Sequence, residues 1–85
     1  MMQEEFVTYI LFSKPFDKIY IGFTSNLITR FLSHNKFGKG YTKRYRPWTV
    51  IYVEFFNYKT EAMQREKELK SSRGRFFIKN TLLKN

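Results

Sequence analysis

The sequence predicts an α+β domain in which a small three-stranded antiparallel sheet is flanked by helices, in the order β-β-α-β-α-α. Residues 6–12 and 18–22 are two short aromatic-rich segments separated by five residues typical of a turn, which indicates a β-hairpin. Residues 49–56 are the clearest strand, and segments with apolar residues at helical spacing follow both the hairpin and this strand. Elements in this order favour an antiparallel sheet packed against helices.

The hairpin and the segment after it carry boundary signals. Pro15 lies in the connection, where its missing N–H group is tolerated. Gly22 is expected to end the second strand, and a glycine there allows either a positive φ angle or a close backbone approach. The Thr-Ser-Asn sequence at 24–26 offers a helix N-cap, and the apolar spacing that follows predicts a helix over residues 27–35.

The second half of the chain is divided by similar signals. Residues 38–48 are predicted to form a loop, because they combine glycine with a dense run of basic and aromatic residues. Thr60 is expected to cap a helix over residues 61–71, and Gly74 is expected to stop it. A short basic helix is then predicted over residues 75–83.

Length and composition restrict the class of protein. Eighty-five residues without a repeat or linker predict one domain spanning residues 1–85. The net charge of +9 favours a polyanionic partner, either nucleic acid or an anionic membrane surface, and the small size adds weight to nucleic acid. The chain has no cysteine and one histidine, which excludes disulfides, thiolate sites and a multi-histidine zinc site. It has no membrane-length apolar run and no signal pattern, so we expect a cytoplasmic protein.

Glu66 is the unusual residue of the predicted helix 61–71. Apolar residues three or four positions away share its face of the helix, whereas Glu68 points elsewhere. A carboxylate beside an apolar face is costly unless it is paired or bound to a cation. Two interpretations stay open: an ion pair with Arg30, Lys70 or another base, or a ligand of one divalent ion, Mg²⁺ or Mn²⁺.

Arg30 and His34 are one turn apart on one edge of the predicted helix 27–35. Both are either solvated surface residues or a pair that binds a phosphate oxygen, with the imidazole available for proton transfer or hydrogen bonding.

Tyr9 and Tyr20 lie on the two strands of the predicted hairpin. They are either core aromatics with hydroxyl groups at the rim, or phenols that orient or deprotonate a water molecule. The second role needs a nearby cation, because the ordinary pKa of a phenol is about 10.

Residues 36–48 contain five basic residues and no acid, interleaved with aromatic residues. Such a segment either contacts phosphates and stacks on bases, or is a solvated loop with Tyr45 and Trp48 held in the core. The candidate nucleic-acid-binding residues, which include two from the basic C-terminal segment, are Lys36, Lys39, Tyr41, Lys43, Arg44, Arg46, Lys70 and Arg73.

Taken in order, these residues resemble the GIY-YIG nuclease superfamily, in particular its small stand-alone bacterial members, which are similar to the N-terminal nuclease domain of the excinuclease C protein. The likeness covers roughly residues 5–75. It rests on Val7-Thr8-Tyr9, on Tyr20-Ile21-Gly22, on Gly22-Phe23-Thr24-Ser25-Asn26-Leu27 with Arg30 and His34 after it, on Arg46-Pro47-Trp48-Thr49-Val50-Ile51-Tyr52, and on Glu61-Ala62-Met63-Gln64-Arg65-Glu66.

The resemblance implies a metal-dependent, structure-tolerant DNA endonuclease with one divalent ion held by Glu66. It implies in-line attack of water on a phosphodiester, with Tyr20 as general base and Tyr9 as a water-positioning or supporting phenol. Arg30 would stabilise the charge of the transition state. The metal ion would add to that stabilisation.

The chain departs from the family pattern in two places. Val7-Thr8 replaces Gly-Ile in the first motif, and Phe23 stands where the excinuclease-like branch has a lysine. One cationic contact is therefore absent unless His34 or a loop lysine replaces it. With no second DNA-binding domain expected, two alternatives are a non-catalytic nucleic-acid-binding module and a nuclease subunit that needs a protein partner.

Overall fold

The computed structural model describes residues 6–26 and 40–83. Its sheet contains β1 (Phe6–Ser13), β2 (Lys18–Thr24) and β3 (Thr49–Phe56), in the order β2-β1-β3. Both pairings are antiparallel, with Tyr9 opposite Gly22 on one side and Val53 on the other. The predicted α+β class with a three-stranded antiparallel sheet is confirmed.

The second strand is longer than the sequence suggested. Gly22 was expected to end it, but pairing continues until Thr24 lies opposite Val7. Thr24 then begins the turn, because its Oγ1 accepts a hydrogen bond from the Asn26 N–H at 3.1 Å. The predicted helix 27–35 lies outside the described residues.

Residues 40–83 contain four helical segments. They are α1 (Tyr41–Arg44), α2 (Lys59–Lys70), α3 (Ser72–Phe77) and a π-helical turn over Ile78–Leu82. The prediction of an irregular loop over residues 38–48 was wrong at α1, which forms one helical turn. No helix in residues 6–26 and 40–83 is long and apolar enough to cross a membrane.

Two predicted helix boundaries were also wrong. Thr60 lies inside α2, because the Tyr58 carbonyl accepts the first hydrogen bonds, from the N–H groups of Glu61 and Ala62. Gly74 does not stop α2. Ser71 interrupts it with extended backbone and caps α3 by accepting a hydrogen bond from the Gly74 N–H at 3.3 Å.

Gly74 is needed for the tight corner between α2 and α3. A Cβ atom at this position would collide with the backbone carbonyls of Leu69 and Glu68. The glycine therefore serves close packing, and α3 can turn back directly against the end of α2.

The core is divided between the two faces of the sheet. Val7, Tyr9 and Leu11 alternate along β1 toward one face and pack with Trp48. Ile10 points to the opposite face, where it packs with buried residues of α2 and of the π-helical turn.

A buried hydrogen bond fixes α2 on that second face. Thr8 is fully buried, and its hydroxyl donates to the Ala62 carbonyl at 2.8 Å. This hydrogen bond therefore helps to fix the position of α2 relative to β1.

Candidate active site

A cavity of about 380 Å³ runs along the β2 edge of the sheet. It collects side chains from three parts of the chain, because β2 contributes its edge, α1 covers one side and α2 with α3 covers the other. Its lining residues are Ile19, Tyr20, Ile21, Tyr41, Glu66, Lys70, Arg75 and Ile78. The cavity thus brings together two phenols from the first half of the chain with a carboxylate and two cations from the second half.

Tyr20 enters the cavity from β2, where its side chain is half-buried. Its ring stacks on Tyr9, with centroids 6.3 Å apart and planes 26° apart, and meets the edge of Trp48 at 6.3 Å. Contacts from these two buried rings restrict the orientation of the Tyr20 phenol. The residue is therefore well placed to act on a group bound in the cavity.

Tyr9 lies beneath Tyr20 in the core and is only 2% exposed. Gly22 on the neighbouring strand makes room for it, because a Cβ atom at Gly22 would lie 2.7 Å from the Tyr9 hydroxyl oxygen and 2.9 Å from Cζ. The close approach anticipated for this glycine is thus made by a side chain. Such burial matches the interpretation of Tyr9 as a core aromatic.

Glu66 faces the cavity from α2, and its side chain is 21% exposed. Oε2 of Glu66 lies 3.7 Å from Nζ of Lys70, one turn further along the helix. Lys70 was one of the ion-pair partners considered from the sequence. Glu68 points elsewhere, as predicted, and lies 3.3 Å from Arg65.

The donor set in this cavity fits a hard divalent cation. Within residues 6–26 and 40–83, no cluster of three or more histidine and acidic residues could hold a metal. Glu66 alone would be the protein ligand there, which leaves the other positions to water and to substrate oxygens. That arrangement suits Mg²⁺ or Mn²⁺, which keep several waters and are often held by one or two carboxylates and a phosphate.

Lys70 and Arg75 form the basic wall of the cavity. Arg75 Nε donates a hydrogen bond to the Lys70 carbonyl at 3.3 Å, which holds α3 against the end of α2. Arg73 lines a different cleft, together with Arg65 and Phe77. The sequence had placed Arg73 among the candidate nucleic-acid-binding residues, whereas beyond the corner at Ser71 it is Arg75 that lines this cavity.

Helix α1 is held beside the cavity by two hydrogen bonds. The Tyr41 hydroxyl donates to the Ile19 carbonyl on β2 at 3.1 Å, and the Trp48 indole N–H donates to the Thr42 carbonyl at 2.8 Å. Trp48 is buried, as one interpretation of this segment held. A basic segment is thereby fixed next to Tyr20.

The basic residues on and after α1 face solvent. Lys43, Arg44 and Arg46 are all exposed, and the Arg44 guanidinium lies 5.5 Å from the centre of the Tyr45 ring. Arg30, His34, Lys36 and Lys39, which the sequence added to the candidate site, lie outside the described residues.

A second polar cluster lies at the β3 side of α2 and was not anticipated. Glu54 accepts a hydrogen bond from the Tyr52 hydroxyl at 2.8 Å, and its other oxygen lies 2.9 Å from Arg65 Nε. Burial alone would lower the pKa of the Arg65 guanidinium, but the hydrogen bonds with Tyr52 and Glu68 and the charge of Glu54 raise it overall. This cluster ties α2 to β3 and contributes nothing to the cavity.

The class of protein to which this fold belongs is identified by comparison with known families. The model of the GIY-YIG catalytic domain matches residues 5–80, so the chain belongs to the GIY-YIG family, a nuclease superfamily whose members generally depend on a divalent metal.

The similar proteins are small bacterial members of this family. The chain is 46% identical to the UPF0213 protein of Staphylococcus haemolyticus over 57 residues, which cover 65% of this chain and 68% of the relative. It is 41% identical to the UPF0213 protein of Oceanobacillus iheyensis over 71 residues, covering 81% and 80%. The solution NMR structure of a UPF0213 protein from Bacillus halodurans superimposes with a TM-score of 0.54 at 29% identity, covering 89% of this chain and 83% of that one.

Proposed function

We propose that this protein is a metal-dependent DNA endonuclease that hydrolyses phosphodiester bonds and is structure-tolerant rather than sequence-specific. The observation that supports this most strongly is the shared cavity of Tyr20 and Glu66, which also contains Lys70 and Arg75. A carboxylate can hold a divalent cation and a phenol can act on water, while the two basic side chains favour a phosphate. Family membership supports the same chemistry.

The cation, Mg²⁺ or Mn²⁺, would be held by Glu66 and would stabilise negative charge on the phosphate. Tyr20 is assigned the role of general base, in which its side chain, as the phenolate, accepts a proton from the attacking water and becomes the neutral phenol. The contacts of its ring with Tyr9 and Trp48 limit the orientations that the Tyr20 oxygen can take. Positioning of this kind is a major part of phosphoryl-transfer catalysis.

Tyr9 is assigned a supporting role. Since it is 2% exposed and stacks on Tyr20, it acts through the orientation of Tyr20 and not through contact with DNA. Arg30 is proposed to stabilise charge in the transition state, and His34 to assist by hydrogen bonding or proton transfer. Both roles rest on the sequence pattern.

The DNA is proposed to lie across α1 and the cavity. Lys43, Arg44 and Arg46 are exposed beside the cavity and would contact phosphates, as would Lys36 and Lys39 from the same basic segment. Tyr41 is 45% exposed at the cavity wall and offers a ring on which an unpaired base can stack.

On the other side of the cavity, Lys70 and Arg75 would contact phosphates. Arg73 is assigned a peripheral contact at most, because it lines another cleft. Phosphate contacts carry no sequence information, so sequence preference would come from a protein partner. We also propose that the protein is located in the cytoplasm, where it would meet cellular DNA.

Nicking of supercoiled plasmid by the purified protein tests the proposal. We expect nicked circles with Mg²⁺ or Mn²⁺ and none with EDTA, and Tyr20→Phe should lose nicking while keeping its fold by circular dichroism. Tyr58→Phe is the matched control, since Tyr58 is 66% exposed and lies outside the cavity lining. If the protein binds plasmid and branched DNA but cleaves neither with Mg²⁺ or with Mn²⁺, the result would instead favour a non-catalytic module or a subunit that needs a partner.

A further inference from the structure

Lys70 is a cation that already occupies the carboxylate proposed to hold the metal. Its ammonium nitrogen lies 3.7 Å from Glu66 Oε2, and both side chains line the cavity. The Lys70 side chain is 52% exposed, whereas that of Glu66 is 21% exposed. The carboxylate is therefore the fixed partner of the pair, and the ammonium is the one that can leave.

A divalent ion and this ammonium compete for the same group. A Mg²⁺ ion bound to Glu66 would lie about 2.0–2.1 Å from one oxygen of the Glu66 carboxylate. An ammonium 3.7 Å from the other oxygen would then lie next to a doubly charged ion, with repulsion between them. The metal therefore binds with less repulsion when Lys70 has moved away.

We propose that Lys70 is a resident counter-ion of Glu66, which the metal displaces, and that the displaced ammonium then contacts a DNA phosphate in the cavity. This inference rests on the proposed function. Arg75 stays in place on the same wall, bonded to the Lys70 carbonyl, so the main chain at Lys70 is held while its side chain swings. The four-carbon stem of lysine gives the charged group the reach for such an exchange.

The exchange couples the two ligands of the cavity. A phosphate that attracts Lys70 leaves Glu66 unpaired and so raises the affinity for the metal. Because the coupling is reciprocal, metal binding releases Lys70 and raises the affinity for phosphate by the same factor. An ion pair with this degree of exposure changes a binding constant that depends on breaking it by roughly two- to fivefold. Lys70 should therefore weaken metal binding by about that factor when DNA is absent.

Titration with Mn²⁺ alone, followed by the electron paramagnetic resonance signal of free Mn²⁺, tests the inference without DNA or cleavage. Lys70→Met removes the charge and keeps a long apolar stem. Lys67→Met is the matched control, because Lys67 is exposed on the same helix, has the same charge and lies outside the cavity lining. We expect Lys70→Met to bind Mn²⁺ about two- to fivefold more tightly than Lys67→Met does. Lys70→Arg, which keeps the positive charge, should stay within about twofold of the unmodified protein.

Two results would overturn the inference, and they differ in what else they overturn. If Lys70→Met binds Mn²⁺ no more tightly than Lys67→Met while Glu66→Gln abolishes binding, Glu66 holds the metal and Lys70 does not compete for it. If Glu66→Gln binds Mn²⁺ as well as the unmodified protein does, the metal assignment in the proposed function fails together with the inference. Circular dichroism of each variant confirms that it is folded.

Discussion

Replacement of Gly22 by alanine tests how the two catalytic-motif tyrosines are packed. The new Cβ would lie 2.7 Å from the Tyr9 hydroxyl oxygen and 3.1 Å from Tyr20 Cε1. The first distance is about 0.3 Å inside the 3.0 Å that real Cβ contacts essentially never cross, so the Tyr9 ring must move. Tyr9 is 2% exposed and packs against Val7, Leu11 and Trp48, so its displacement disturbs the core around it. Overpacking of this kind costs about 1–3 kcal/mol, and we expect a loss of about 2 kcal/mol in the free energy of unfolding.

Urea denaturation of a double-mutant cycle measures this strain directly. Tyr9→Phe removes the hydroxyl oxygen that makes the 2.7 Å contact, so the double variant Tyr9→Phe/Gly22→Ala should be more stable than the two single losses together predict. We expect a coupling of about 0.5–1 kcal/mol. Plasmid nicking by Gly22→Ala should also fall, because Tyr9 stacks on Tyr20 and is proposed to orient it. A Gly22→Ala variant as stable as the unmodified protein, or a cycle with no coupling, would refute this account of the packing.

Three further perturbations follow from individual contacts. Thr8→Val leaves the buried Ala62 carbonyl without its donor and should cost about 1–3 kcal/mol of unfolding free energy by urea denaturation, whereas a loss below about 0.5 kcal/mol would show that this bond does not anchor α2. Lys43→Ala/Arg44→Ala should flatten the slope of log K against log salt by roughly 2 units for duplex DNA; an unchanged slope would mean that α1 faces away from DNA. Arg75→Ala should weaken DNA binding by about threefold or more, whereas Arg73→Ala should change it less, and equal losses would contradict the separation of the two side chains.

The fold was predictable from sequence where short-range patterns decide it. The apolar run in residues 6–12, the turn around Pro15 and the strand over residues 49–56 each carry their own signal, and the structure has two strands of the sheet and the turn of its hairpin at these places. Gly22 was misjudged as a strand end because its role depends on Tyr9, a residue on another strand.

The elements that sequence missed depend on contacts between distant residues. Helix α1 is too short to be stable alone, and it is held by the bond from Tyr41 to Ile19 and by the bond from Trp48 to Thr42. Gly74 was assigned as a helix stop, but the tight corner with Leu69 is what requires it, and this corner is a tertiary feature.

The candidate site divides in the same way. Glu66 was recognisable because a carboxylate on an apolar helical face needs a special explanation, and the structure places it in a cavity with Tyr20. Arg73 was predicted to contact DNA, but Arg75 lines the cavity instead, and this could not be recognised because it depends on the direction in which the chain turns at Ser71. The cluster of Glu54 and Arg65 joins a strand to a helix, and no local pattern indicates such a pair.

Glu66 is proposed to hold the divalent ion on which cleavage of DNA by this chain depends. Single-turnover nicking of supercoiled plasmid by Glu66→Gln, with Glu61→Gln as the exposed control on the same helix, tests this proposal most directly. We expect Glu66→Gln to lose cleavage in Mg²⁺ and in Mn²⁺ while it binds DNA as well as the unmodified protein, and we expect Glu61→Gln to cleave normally. Cleavage by Glu66→Gln at a rate similar to that of Glu61→Gln would show that Glu66 does not hold the ion needed for cleavage.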